Sequence, residues 1–72
     1  MMETAVLTRP NFKSKYQELF PDYRIFALGE PKLGYRFQRV LVFLEPKDDR
    51  EIEWVNNFSM ALPPEKKLEL FI

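Results

Sequence analysis

Seventy-two residues leave room for one small domain, 1–72, and the absence of both Cys and His excludes disulfides, the usual zinc ligands, a thiolate nucleophile and the most adaptable general base. Eleven basic side chains balance eleven acidic ones, and a sequence pI near 6.2 lacks the basic footprint of a strong nucleic-acid binder. Apolar mass must hold the fold together: 46% of residues are hydrophobic, among them seven Phe, three Tyr and one Trp, which argues against a disordered tail.

Residues 4–8, TAVLT, are short and β-branched and predict a first strand. Asn11 then offers a helix N-cap, and Phe12, Tyr16, Leu19 and Phe20 recur at helical spacing until Pro21 stops the helix. YRIFALG (23–29) resumes as a strand ending at a glycine. EPKLG (30–34) reads as a turn, and the stretch running out to Leu44 as a long strand that returns alongside as a hairpin.

Beyond Glu45–Pro46, Asp48 is placed to cap a helix over about 49–61, with Glu51 in the capping-box position and acidic residues where the helix dipole favours them. Ile52, Val55, Ser59 and Leu62 form one stripe of that helix, and Trp54, Phe58 and Ala61 a second beside it. Pro63 and Pro64 end it. KLELFI (67–72) alternates weakly and predicts a last strand.

The resulting order, β-α-β-β-α-β, is the split βαβ pattern of ferredoxin-like α+β domains, in which a four-stranded antiparallel sheet carries both helices on one face. The alternative is a three-stranded α+β arrangement in which Pro64 opens a C-terminal helical turn.

Catalytic chemistry finds little support. Thr4, Thr8, Ser14 and Ser59 sit in no nucleophile motif, and two glycines cannot assemble a phosphate-cradling loop. The carboxylates Asp48, Asp49 and Glu51 could serve a small hydrolase, but their ordinary role is to complement a helix N-terminus. The expectation is a non-enzymatic domain without catalytic residues, metal or cofactor. No stretch approaches the ~20 apolar residues of a membrane span, and no basic-then-apolar leader opens the chain, so a cytoplasmic chain with no membrane partner is expected.

A single-stranded nucleic-acid site would use sheet aromatics and nearby cations: Tyr35, Phe37 and Arg39 along one side of the long strand, with Arg24 and Lys32. Against the third-strand signature of RNA-recognition domains, LGYRFQRV (33–40) matches at Gly34, Tyr35 and Phe37 and departs at Leu33, Arg36, Gln38 and Val40, so that family is not assigned.

A protein partner fits the patterns best. The run 40–44 is apolar on both faces, whereas a sheet with helices on one side needs only one apolar face. Arg36, Gln38, Val40 and Val42 are therefore expected on an outer face that docks a partner or a second copy, with Trp54 contributing from the second helix. The apolar LELFI segment is a further candidate contact, an edge able to accept a partner's strand. Charge is uneven along the chain: residues 1–44 hold seven Lys/Arg against four Asp/Glu, and residues 45–72 four against seven. That could steer a partner, or be an accident of so short a chain. An adaptor, an accessory subunit or a small inhibitor of a larger complex is the expected role.

Overall fold

The computed structural model describes residues 3–72. Its elements follow in the order β1 (Glu3–Thr8), α1 (Lys13–Leu19), β2 (Arg24–Ala27), β3 (Phe37–Val42), α2 (Asp49–Ser59) and β4 (Glu69–Leu70), with a 3-10 turn, Pro10–Phe12, leading into α1. The six predicted elements all form. Their pairing differs from the antiparallel expectation: the strand order is β2-β1-β3-β4 and every neighbouring pair is parallel. The ferredoxin-like arrangement is thus replaced by a small domain with four parallel strands and two helices.

The expected hairpin fails for a local reason. Between β2 and β3 the chain turns twice, not once. Glu30 N–H bonds to Ala27 O at 2.9 Å around Gly29 (φ 94), and Tyr35 N–H to Lys32 O at 3.1 Å around Leu33 (φ 54) and Gly34 (φ 77). Positive φ at both central residues of the second turn is the type I′ pattern, and glycine supplies it without steric cost at one of them. Two reversals restore the original direction. β3 therefore runs parallel to β2 and takes its place on the far side of β1, in the centre of the sheet.

From that centre the two crossovers step outward in opposite directions, β1–α1–β2 one way and β3–α2–β4 the other. Crossovers of one hand then place the two helices on opposite faces. The strand order and the two helix layers are those of a doubly wound open sheet. Toward α2, Ala5, Leu7, Phe26, Phe37, Val40, Val42 and Leu44 pack with Val55, Phe58, Ala61 and Leu62 in one buried cluster. Toward α1, Val6, Thr8 and Leu41 are buried and Phe43 meets Tyr16 and Phe20, with ring centroids 4.8 and 5.9 Å away. A strand covered on both faces reads as a continuous apolar run, which accounts for β1 and for 40–44.

A bulge sets which β3 side chain goes where. Glu3 opposes Phe37 and Thr4 opposes Arg39, leaving Gln38 as an extra residue. Strict alternation would have kept Phe37 and Arg39 on one side. With Gln38 bulged out, Phe37 joins Val40 and Val42 beneath α2, and Arg39 falls on the α1 side with Leu41 and Phe43.

The helices are capped as their neighbours allow. Asp48 caps α2, its carboxylate accepting from Glu51 N–H at 2.9 Å, while Glu51 accepts from Lys47 N–H at 2.9 Å. Asn11 does not cap α1: Pro10 starts the 3-10 turn, and Phe12 is the boundary residue with no side-chain cap. The core stripe of α2 is Trp54, Val55 and Phe58, continued by Ala61 and Leu62 just past the helix end, and Ile52 is 46% exposed. Residues 63–66 form one turn, closed by Lys66 N–H on Pro63 O, and β4 follows as a strand. The helical alternative for that segment, and with it the three-stranded sheet, is excluded. Among the described residues no helix is long and apolar enough to cross a membrane.

Candidate interaction surface

An open parallel sheet leaves two edges, and this chain treats them differently. The β2 edge is closed at its carboxyl end. Ala27 N–H donates to Glu30 Oε1 at 2.6 Å, and Ala27 O accepts from Glu30 N–H, so one residue occupies both outward backbone groups of Ala27. Lys13 Nζ clamps the same carboxylate at 2.8 and 3.0 Å, and the Glu30 carbonyl accepts from Trp54 Nε1–H at 2.8 Å. The Lys13 bond, with help from Ala27 N–H, holds the Glu30 carboxyl below the usual carboxylate range despite partial burial.

The β4 edge is open. Phe71 N–H reaches inward to Val42 O at 2.9 Å, so Leu70, one residue earlier, turns its backbone groups away from β3. Leu70, Phe71 and Ile72 are 62%, 52% and 68% exposed. Three successive half-exposed apolar side chains on an unpaired edge invite strand pairing. On the α1 side Phe71 stacks on Phe43 at 5.0 Å. Phe43 continues through Tyr16 and Phe20 to Tyr23, a row of aromatic rings across the sheet. Arg39 flanks this row and binds Glu69 through two bonds of 2.8 and 2.9 Å, which keeps the Glu69 carboxyl below its ordinary range. On the α2 side a groove of about 590 Å³ runs beside the edge, lined by Met60, Leu62, Pro63, Pro64, Lys67 and Leu70.

A second concavity, about 380 Å³, lies where β2 ends and α2 begins, between Leu28, Gly29, Asp48, Arg50, Glu51 and Trp54. Doubly wound sheets bind ligands beyond the carboxyl ends of their strands, but here the charged groups serve the scaffold. Arg9, just past β1, donates to Glu45 O at 2.8 Å and to Glu51 Oε1 at 3.0 Å. That bond first, and Lys47 N–H second, draw the Glu51 carboxyl downward. Asp48 is the helix cap. Both carboxylates thus hold backbone and side-chain donors of the chain itself.

The residues singled out in the sequence are dispersed. Arg36 and Gln38 are exposed at the start of β3, whereas Val40 and Val42 are wholly buried beneath α2. The outer sheet face on which all four were expected does not exist, because α2 covers it. Trp54 is half-buried, its ring edge against Phe58 at 5.0 Å and its Nε1–H on Glu30 O. The stacking trio is likewise split. Phe37 is buried, Tyr35 is half-buried beside it, and Arg39 lies across the sheet on Glu69. Arg24 sits over the Tyr35 ring at 4.2 Å and pairs with Glu3, and Lys32 opens the second turn of the β2–β3 link.

Of the sequence candidates, the LELFI segment is the one that brings successive apolar side chains to an open surface. The contribution of Phe43 and Tyr16 behind it was illegible in periodicity, which assigned both to core faces. No protein family, curated protein or solved structure matches the chain.

Proposed function

We propose that this chain is a protein–protein interaction module that acts by surface contact rather than catalysis, as an adaptor, accessory subunit or small inhibitor in the cytoplasm. The observation that carries the reading is the open β4 edge, with Leu70, Phe71 and Ile72 exposed in succession and Phe71 continuing into an aromatic row. Backbone groups on such an edge supply affinity, and the alternating side chains supply selectivity. Large rings anchored on other rings offer contact area at small entropic cost, which favours Phe71 as an anchor. The cysteine-free composition suits a reducing compartment.

The test is capture from native lysate with an N-terminally tagged chain, with and without nuclease, read by mass spectrometry. A dominant protein that survives nuclease, is retained by Arg50→Ala and is lost with Phe71→Ser supports the reading. Capture that ignores Phe71→Ser, or that vanishes with nuclease, overturns it.

A further inference from the structure

We infer that the β4 edge pairs with a second copy of this chain, the two strands running antiparallel so that Lys67 of each copy faces Glu69 of the other. This rests on the interaction reading above and names its partner.

Backbone geometry restricts the pairing. Phe71 N–H and Glu69 are turned toward β3, so the outward groups belong to Leu70 and, two residues back along the extended segment, to Leu68. Outward residues must oppose one another, which leaves three antiparallel registers. Leu68 against Leu70 sets Glu69 directly opposite Glu69, a like-charge contact that opposes pairing. Leu70 against Leu70 sets Glu69 opposite Phe71 and forms no ion pair. Leu68 against Leu68 sets Lys67 opposite Glu69 twice, at the non-hydrogen-bonded positions where facing side chains come closest. Charge complementarity selects the last register.

The surroundings fit that choice. Lys67 forms no ion pair among the described residues, and Arg39 holds Glu69 in place on the same face. In the selected register Leu70 of one copy lies opposite Lys66 of the other, on the α2 side. There the groove lined by Met60, Leu62, Pro63 and Pro64 stands open beside the edge. Met60 is 80% exposed, and Leu70 of the second copy covers it. The contact is self-complementary about a two-fold axis and joins two four-stranded sheets into one of eight.

Sedimentation equilibrium over micromolar to millimolar concentrations tests this with wild type, Lys67→Glu, Glu69→Lys and an equimolar mixture of the two variants. Wild type is expected at twice the 8.7 kDa chain mass. Each variant alone turns both ion pairs into like-charge contacts and weakens the dimer by roughly ten-fold or more. The mixture restores complementary charges and with them the dimer. A monomeric wild type, a dimer indifferent to Lys67→Glu, or a mixture that stays monomeric overturns the proposal. If loss of the Arg39 bond unfolds Glu69→Lys, as circular dichroism reports, Lys67→Glu alone decides. A monomeric wild type that still captures a Phe71-dependent protein from lysate sinks the second copy and leaves the interaction reading standing. A monomeric wild type that captures nothing sinks both.

Discussion

Glu30 joins three parts of the molecule through one side chain and one carbonyl. Its carboxylate takes Ala27 N–H on the β2 edge and Lys13 from α1, and its carbonyl takes the Trp54 indole from α2. The carboxyl is held below its ordinary value, so it binds a proton less readily in the folded chain than in the unfolded one. Its stabilising contribution is therefore fully present above the unfolded value near 4.5 and is lost as pH falls through the lower folded value. Glu30→Gln is expected to lower stability by about 1 kcal/mol at pH 7, a modest figure because the carboxylate is partly in water and its ion pair is screened. The gap should close as pH drops below about 4.5, where wild type loses the same charge. Denaturant melts of both proteins at pH 7 and pH 3 check it. A difference that stays constant across that range would remove the carboxylate charge from the explanation.

At the scale of elements, local pattern and pairing part company. Helical spacing in 12–20 and 49–61, the Asp48 cap and the β-branched runs were legible, because each is written within a few neighbouring residues. Partner choice between strands was not. It turns on whether 28–36 reverses the chain once or twice, and Leu33 carries no turn signal although it adopts positive φ. The Gln38 bulge left only a faint trace, two polar residues in succession in FQRVLV where an alternating strand has one, and no Gly or Pro marks it. One extra residue moved Phe37 to the α2 side and dissolved the stacking trio.

Deleting Gln38 therefore gives a sharp expectation. Removing the bulge leaves Phe37 opposite Glu3 and Arg39 opposite Thr4 with nothing extra between them, and regular alternation then keeps Phe37 on the α2 side and Arg39 on the α1 side. The folded far-ultraviolet spectrum is therefore expected to survive this deletion, whereas deleting Leu41 from the regular part of the strand turns either 37–40 or 42–44 to the wrong face and should abolish it. Loss of folding on deletion of Gln38 would mean that Gln38 is not the extra residue of the ladder.

The whole molecule is a sheet with a layer on each side, and this decides which apolar surface stays open. The surplus hydrophobicity at 40–44 reads in sequence as a docking face, yet Val40 and Val42 are consumed by a second helix layer and the open apolar surface is the β4 edge. Charge follows the same logic. Arg9 with Glu51 and Arg39 with Glu69 tie the basic first part of the chain to the acidic second part, so some of the asymmetry is neutralised within the fold.

Two adjacent residues test the architecture. Val6 and Leu7 are consecutive on β1, both at 0% exposure, and their side chains point to opposite faces, Val6 toward α1 and Leu7 toward α2. In a sheet with helices on one side only, one of them meets water and accepts a carboxylate cheaply. In the two-layered sheet neither does. Burying an unpaired charge costs more than about 4 kcal/mol, a large part of the roughly 5–15 kcal/mol that holds a small domain folded. A chain of this size stands at the low end of that range. Val6→Glu and Leu7→Glu are thus each expected to abolish cooperative thermal unfolding at pH 7, with Met60→Glu, at an exposed site, as the folded control. Survival of Val6→Glu alone would show that α1 does not seal its face, and survival of Leu7→Glu alone would say the same of α2.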